Sequence, residues 1–171
     1  MAEILSLCGK HEKALACYDQ VTQITPDKAG VWNKKALLLI QLEKCDEALA
    51  CFDRALTLDP LSGMAWSNKG VFLAGLRQYE EALICFDKAL QINPGDAHAL
   101  VNKGIALAHT DIYDEALKCF NKAIRLDSHC AGAWINKGVT LNRLGRYDEA
   151  EKCFYRALKI DPALLEFFGR G

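Results

Sequence analysis

The hydrophobic positions of this chain follow helical spacing in short blocks, and the same pattern of blocks recurs every 34 residues. The clearest repeats are the tryptophans Trp32, Trp66 and Trp134, the phenylalanines Phe52, Phe86, Phe120 and Phe154, and the alanines Ala48, Ala82, Ala116 and Ala150. Leu100 occupies the place where a fourth tryptophan would fall. A fixed period of this length indicates stacked supersecondary units that offer a long surface rather than one deep catalytic cleft.

Each unit is predicted to contain two helices. In residues 63–96 the first helical face begins at Trp66 and is interrupted at Arg77. A second helix is predicted from about Tyr79 to Ile92, because the Asn-Pro-Gly sequence that follows is typical of a helix end. The same pattern recurs in residues 29–62, 97–130 and 131–164.

Three glycines stand in register inside the predicted first helices, at Gly70, Gly104 and Gly138. A glycine in a helix interior costs about 1 kcal/mol relative to alanine, so three in register require an offsetting gain. Close approach of the paired helix would provide that gain, because a side chain at this point would hold the two helices apart. Ala36 takes the equivalent place in the first complete unit.

The recurring residues resemble the tetratricopeptide repeat (TPR) family, and the positions that carry the resemblance are Trp66, Gly70, Leu73, Tyr79, Ala82, Phe86, Ala89 and Pro94. The resemblance implies an all-α solenoid, a right-handed superhelix of antiparallel helix hairpins with a concave groove that binds peptides or partner proteins. The expected divisions are a partial repeat in 1–28, complete repeats in 29–62, 63–96, 97–130 and 131–164, and a tail or the start of a further repeat in 165–171.

The charge balance excludes some classes of partner. The net charge is −1, and a general nucleic-acid binder would need a basic face. No apolar run approaches the roughly 18 residues that a membrane span requires. The first nine residues have no basic leader or cleavage site, so they make a poor signal peptide. We expect a cytoplasmic protein with neither nucleic acid nor membrane as its partner.

The chain has 8 cysteines, of which Cys17, Cys51, Cys85, Cys119 and Cys153 fall on the repeat period. Equivalent points on stacked helices lie roughly 8–10 Å apart, which is beyond the limit of about 7 Å between Cα atoms for a disulfide. No Cys-x-x-Cys pair suggests zinc. We expect small buried thiols in a reducing compartment, with Cys130 as a candidate reactive thiol, and no metal or cofactor.

The resemblance places one stripe of each first helix in the groove. The candidate binding residues on these stripes are Asn33, Lys34, Leu37, Met64, Ser67, Asn68, Val71, His98, Val101, Asn102, Ile105, His109, Ile135, Asn136, Val139, Asn142 and Arg143. Some family members hold a C-terminal carboxylate with a clamp of lysine, arginine and asparagine. That clamp is not matched, because the groove cations Lys34 and Arg143 fall at opposite ends of the array.

Two features of these stripes suggest peptide binding. Asn68, Asn102 and Asn136 recur once per unit, and an amide group both donates and accepts hydrogen bonds, so it can pair with an extended backbone. Leu37 and Val71, with Ile105, Val139, Val101 and Ile135, form an apolar floor beside them. The asparagines are alternatively solvated groove residues, or groups that bond to neighbouring helices and help the units to stack.

No catalytic constellation is apparent, and we expect a non-enzymatic binding module or adaptor. The recurring carboxylate pairs, such as Asp46-Glu47, open the second helices, where negative charge complements the helix dipole. His98 and His109 lie about 16 Å apart along one helix and cannot share a metal. Two alternatives stay open: a scaffold that self-assembles head to tail through terminal repeats such as the apolar end at Phe167 and Phe168, and the recruiting domain of a larger enzyme.

Overall fold

The computed structural model describes residues 2–7 and 9–164. This part of the chain forms ten α-helices and one short 3-10 turn, with no strand. The helices are α1 (Ala2–Leu7), α2 (His11–Ile24), α3 (Ala29–Gln41), α4 (Cys45–Leu58), α5 (Gly63–Gly75), α6 (Tyr79–Ile92), α7 (Ala97–His109), α8 (Tyr113–Leu126), α9 (Ala131–Arg143) and α10 (Tyr147–Ile160). The 3-10 turn spans Pro162–Leu164.

The helices pair into hairpins, which confirms the predicted all-α solenoid of helical repeats. Helix α3 packs against α4, α7 against α8, and α9 against α10, while α1 and α2 form an N-terminal hairpin. We call α3, α5, α7 and α9 the first helices, and α4, α6, α8 and α10 the second helices. The bounds expected for the second helix of residues 63–96, Tyr79 and Ile92, are those of α6.

The structure divides into two compact units, residues 1–72 and residues 73–171, with the division inside α5. The first unit contains α1 to α4 and most of α5, and in it α2 packs against α3. In the described part of the second unit, α7 contacts α6, α8 and α9, and α8 contacts α9. The α7–α8 hairpin therefore packs against α9 through both of its helices.

Every hairpin turn contains one residue with a positive φ angle, at Gly9, Glu43, Arg77, Asp111 and Gly145. In all five turns the following residue donates its N–H to the carbonyl five positions back, at 2.9 Å. These bonds satisfy carbonyl groups that the end of a helix leaves without partners. Glycine adopts this left-handed conformation most readily. Only two of the five turns have a glycine there, so residue type indicates the geometry in those two turns alone.

The core of the first unit is centred on Phe52, which is fully buried. Its ring centroid lies 6.2 Å from that of Phe72, with the two ring planes tilted by 44°. Ala36, Leu39 and Ala48 surround the pair and are themselves fully buried. The aromatic position of the repeat thus supplies the centre of the packed layer in this unit.

In the second unit the repeated glycines lie beneath phenylalanine rings of the second helices. A Cβ atom built on Gly104 would stand 2.6 Å from Cε1 of Phe120, and one built on Gly138 would stand 2.6 Å from Cε1 of Phe154. Both distances are far shorter than ordinary van der Waals contact. The predicted close approach is confirmed at these two positions, and the approaching group is the ring of the paired helix.

The repeated tryptophans connect each first helix to the loop before it. The indole Nε1–H groups of Trp32, Trp66 and Trp134 donate to the carbonyl six positions earlier, at 3.0, 2.9 and 3.2 Å. Leu100 has no such donor. Helix α7, which carries Leu100, instead begins at a side-chain cap, because the Asp96 carboxylate accepts a hydrogen bond from the Ala99 N–H at 3.0 Å.

A lysine on each first helix is positioned to bridge to the hairpin before it. Lys35 lies 2.7 Å from Asp19, Lys69 lies 2.5 Å from Asp53, and Lys103 lies 2.5 Å from Asp87. The equivalent lysine of α9 is Lys137, and the place where its aspartate partner would fall is occupied by the neutral Asn121. Lys137 has no ion pair among the described residues, and its ammonium lies 5.5 Å from the centroid of the Trp134 ring.

Asn121→Asp should therefore stabilise the protein, by about 0.5 kcal/mol at low salt, because it restores the missing pair with Lys137 at a partly exposed site. Urea unfolding followed by circular dichroism at low and high ionic strength measures the effect. High salt should remove the gain, since mobile ions screen exposed pairs. In a Lys137→Met background the same substitution should bring no stabilisation, and an undiminished gain there would show that another cause operates.

Candidate functional site

In the first unit the structure leaves apolar side chains of the predicted stripe exposed to solvent. Leu37 is 40% exposed, Val71 48% and Met64 70%, while Ser67 is half-buried. Apolar residues this exposed are ordinary when they occur singly. Here they occur on the same helical stripes as polar groups that are able to make hydrogen bonds.

Asn33 differs from the expectation of an accessible groove residue. Only 7% of it is exposed, and its Oδ1 accepts a hydrogen bond from Nδ2 of Asn68 at 3.2 Å. The amide pair joins α3 to α5, because a buried polar group must find a partner inside the protein. Asn68 therefore follows the alternative in which the asparagines help the helices to stack, and its donor to Asn33 is already used.

Lys34 is also engaged, by a partner that the repeat pattern does not reveal. Its ammonium bonds to the Glu3 carboxylate of α1. This hydrogen bond holds the pKa of Glu3 below its usual value and raises the pKa of Lys34. The ion pair stands at the edge of a cavity of about 290 Å³, whose lining includes Glu3, Ser6, Tyr18, Lys34, Leu37 and Gln41.

In the second unit, α7 and α9 pack side by side and bring five of the predicted residues together. Ile105, His109, Asn136, Val139 and Arg143 line one small cavity of about 50 Å³. The ring of Phe120 lies at the same cavity, beside Ala108 and Thr140. Apolar and polar side chains therefore line the cavity together.

The other predicted residues of this unit divide by exposure. His98 and Asn142 are exposed, Asn102 and Ile135 are half-buried, and Val101 is only 8% exposed. The prediction was wrong for Val101. Its side chain belongs to the hydrophobic cluster that contains Leu100, Leu107 and Phe120, so it is not available to a ligand.

The two asparagines of the second unit differ in their hydrogen bonding. Nδ2 of Asn136 donates to the Gly132 carbonyl of its own helix at 2.8 Å. Asn102 has no hydrogen-bond partner among the residues that the structure describes. An amide without an internal partner retains its full capacity to donate and accept, so Asn102 is the best placed of the asparagines for a ligand.

Aromatic and charged groups surround the end of α7. The ring of His109 stacks on Tyr79, with centroids 4.9 Å apart and planes within 3° of parallel. Nη1 of Arg143 donates to the Ala108 carbonyl at 3.2 Å. A hydrogen bond with Asp111 raises the pKa of Tyr113. These contacts fix the side chains of His109 and Arg143 beside the small cavity.

Of the cysteines on the repeat period, Cys51 and Cys153 are buried and Cys17 and Cys119 are half-buried. Burial raises the pKa of the Cys51, Cys119 and Cys153 thiols, so little nucleophilic thiolate forms at neutral pH. Cys130 is half-buried, and Cys8 lies outside the described residues. Within residues 2–7 and 9–164 no group of three potential ligands converges to hold a metal ion.

The apolar end that motivates self-assembly contains Phe167 and Phe168, and residues 165–171 lie outside the described part of the chain. That alternative therefore stays a prediction. None of the described helices combines the length and apolar character needed to cross a bilayer.

The paired helices and their repeated packing define a helical repeat protein. Three family models described as tetratricopeptide repeat match residues 1–28, 33–97, 97–130 and 131–164. The chain therefore belongs to the tetratricopeptide repeat family, whose members are typically interaction modules. No curated protein is a significant match to the sequence.

Solved structures share the fold. MamA 41-end from Desulfovibrio magneticus RS-1 has a TM-score of 0.86 at 22% identity, covering 95% of this chain and 92% of that chain. PilW, described as a widely conserved type IV pilus biogenesis factor, has a TM-score of 0.86 at 24% identity, covering 93% and 74%. YrrB, described as a TPR protein with an unusual peptide-binding site, has a TM-score of 0.77 at 28% identity, covering 94% and 83%.

Proposed function

We propose that this protein is a non-enzymatic interaction module that binds an extended peptide, or an extended segment of a partner protein, along the first helices α7 and α9 of the second unit. The observation that carries the proposal is the exposure of apolar side chains on these helices next to unsatisfied or partly satisfied amides. Val139 is 39% exposed at the rim of a cavity, and Asn102, on the neighbouring helix α7, has an amide without an internal partner among the described residues. A bound segment would cover the first and pair with the second.

Magnitudes indicate which of these features supplies most of the affinity. A hydrogen bond contributes about 1 kcal/mol net, so three asparagines would supply about 3 kcal/mol even if all of them were free. Millimolar binding already requires about 4 kcal/mol. Asn68 and Asn136 have donors engaged within the protein, which reduces their share further. The exposed apolar residues must therefore provide most of the binding free energy.

Two further observations support the proposal. YrrB, which is 28% identical over most of this chain, is described as having a peptide-binding site. Cys51, Cys119 and Cys153 are free thiols, which fits an adaptor in a reducing compartment such as the cytoplasm.

A random peptide library displayed on phage and selected on the full chain tests the proposal. Peptides that are enriched on the protein should bind it in solution, and a fluorescence titration measures their affinity. Ile105→Ser combined with Val139→Ser should weaken binding more than Asn102→Ala does, because the apolar floor contributes most of the free energy. Ile84→Ser on α6 is the matched control, since it removes an apolar side chain that is 60% exposed on a second helix.

The outcomes of this experiment either support the proposed binding along the first helices or exclude it. Loss of binding in the double variant, with binding retained in Ile84→Ser, supports recognition along the first helices. Failure to enrich any peptide, or equal losses in both variants, would exclude it. If Asn102→Ala weakened binding more than the double variant, the division of free energy between floor and amides would be wrong.

A further inference from the structure

A large cavity in the first unit lies between α1, α2 and α3. Its volume is about 820 Å³, and Tyr18, Val21 and Val31 form the apolar part of its wall. Glu3 and Lys34, which are paired with each other, also line it. One water molecule takes about 30 Å³ in the liquid, so this space can hold several side chains of a protein segment.

Two valines in this wall stand where later repeats have buried alanines. Val21 is 38% exposed, whereas the alanines at its position in the second helices are 1% exposed or less: Ala55, Ala89, Ala123 and Ala157. Val31 is half-buried, whereas the alanines at its position in the later first helices are 2% exposed or less: Ala65, Ala99 and Ala133. Apolar positions that the later repeats bury therefore stay open at this cavity.

The length of α1 explains the opening. Helix α1 has 6 residues, whereas α3, α5, α7 and α9 have 13 each. By the repeat period, Ala2–Leu7 correspond to 138–143, the second half of α9. In α7 the first half contributes Leu100 to the cluster that buries Ala123. Among the described residues nothing takes that place beside α2, so the cavity occupies the position of the first half of a first helix.

The segment 165–171 has the register of that first half. It lies outside the described part of the chain, and its residues follow those of 131–137 by one repeat period of 34. Phe168 falls on the position of Trp134, and Phe167 falls on that of the fully buried Ala133. The segment therefore carries aromatic residues at positions where a first helix faces its hairpin.

We infer that residues 165–171 of one copy dock in the cavity between α1, α2 and α3 of a second copy. There Phe167 and Phe168 cover the exposed face of Val21, and the segment together with α1 provides the positions of one first helix. A second copy fits better than the same chain, because each unit of a solenoid contacts only its neighbours along the chain. Repeated docking of this kind gives an open, head-to-tail assembly. This inference is independent of the proposed peptide binding.

Sedimentation velocity of the full chain over a dilution series measures the assembly. The mass of the wild type should rise with concentration. Gly30→Arg blocks the cavity, and Phe167→Ser combined with Phe168→Ser disables the segment, so each variant alone should stay monomeric. Gly30 lines the cavity, and a Cβ atom built on it meets nothing within 4 Å, so arginine enters open space without displacing a described group.

A mixture of these two variants gives the sharpest test, because each keeps the half that the other lacks. The segment of the Gly30→Arg copy should dock in the open cavity of the phenylalanine variant. The mixture should therefore form a dimer with one copy of each variant, and nothing larger, since the remaining segment and the remaining cavity are both blocked. Formation of this dimer also shows that both variants fold.

Two controls are matched to the cavity variants. Gly132→Arg makes the same change at the same repeat position in α9, where a Cβ atom also meets nothing within 4 Å, and it should associate like the wild type. Val21→Lys should abolish the association. Val139→Lys should leave it unchanged, although Val139 is 39% exposed and so resembles Val21 in exposure.

Several results would overturn the inference. A wild-type chain that stays monomeric at every concentration would do so. A mixture that stays monomeric while the wild type associates would show that like surfaces meet each other. Association lost in Val139→Lys and kept in Val21→Lys would assign the segment to the surface of α7 and α9. The library selection tests the proposed peptide binding separately, since a chain that remains monomeric can still enrich peptides.

Discussion

Gly104→Val should lower the free energy of unfolding by about 2–3 kcal/mol, because it forces side-chain atoms into space that the Phe120 ring already fills. Even a Cβ atom at this position would lie 2.6 Å from Cε1 and 2.8 Å from Cζ of Phe120. The ring is fully buried in the hydrophobic cluster that also contains Leu100 and Leu107. Urea denaturation followed by far-UV circular dichroism measures the loss.

The cause can be isolated with two comparisons. Gly132→Val makes the same substitution in α9, where a Cβ atom would meet nothing within 4 Å, and it should cost little. In a Phe120→Leu background Gly104→Val should cost less than in the wild type, since leucine lacks the ring atoms that the valine meets. Equal costs at both glycines would mean that helix propensity, not packing, decides the outcome.

The hairpin architecture could be predicted from the sequence because each unit repeats the same pattern of hydrophobic positions. The second helix from Tyr79 to Ile92 was bounded by an Asn-Pro-Gly stop, and glycines in register predicted a close approach between paired helices. The turn geometry was harder to predict from the sequence. Glu43, Arg77 and Asp111 adopt the left-handed conformation that glycine favours, and their residue types carry no signal for it.

The lysine and aspartate pairs were present in the sequence as a constant spacing of sixteen positions, from Asp53 to Lys69 and again from Asp87 to Lys103. That spacing becomes meaningful only when the structure shows that the second helix of one hairpin faces the first helix of the next. The absence of acidic residues from the first helices α3, α5, α7 and α9 was also present in the sequence. It emerges only when acidic residues are counted by helix, since the net charge of −1 conceals the segregation.

Individual groove residues were harder to predict than the groove stripe itself. Helical spacing places Asn33 and Val101 on the same stripes as exposed residues, but in the structure Asn33 bonds to Asn68 and Val101 packs in a hydrophobic cluster. Lys34 is paired because α1, which belongs to the partial N-terminal repeat, supplies Glu3. The repeat pattern does not predict that partner. Contacts between adjacent helices determine whether these side chains are exposed or paired. The repeat pattern of the sequence does not reveal those contacts.

Phe52→Ala should destabilise the protein by about 3–5 kcal/mol, the usual cost of removing a buried aromatic side chain. Phe52 is fully buried, and its ring lies 6.2 Å from Phe72. Loss of the ring removes its burial and also leaves Phe72 with an empty space on one side. Ala36 and Ala48, small residues beside the ring, have no side chain long enough to fill that space.

Amide hydrogen exchange locates this loss, and urea unfolding gives its size. Protection should fall most in α3 and α4, because those helices meet at the ring of Phe52 in the core of the first unit. Tyr155→Ala serves as the control, since it removes an aromatic side chain that is 69% exposed on α10 and should change stability by less than about 0.5 kcal/mol. A cost for Phe52→Ala as small as that of the control would show that neighbouring residues collapse into the cavity, and that this position is not the centre of the core.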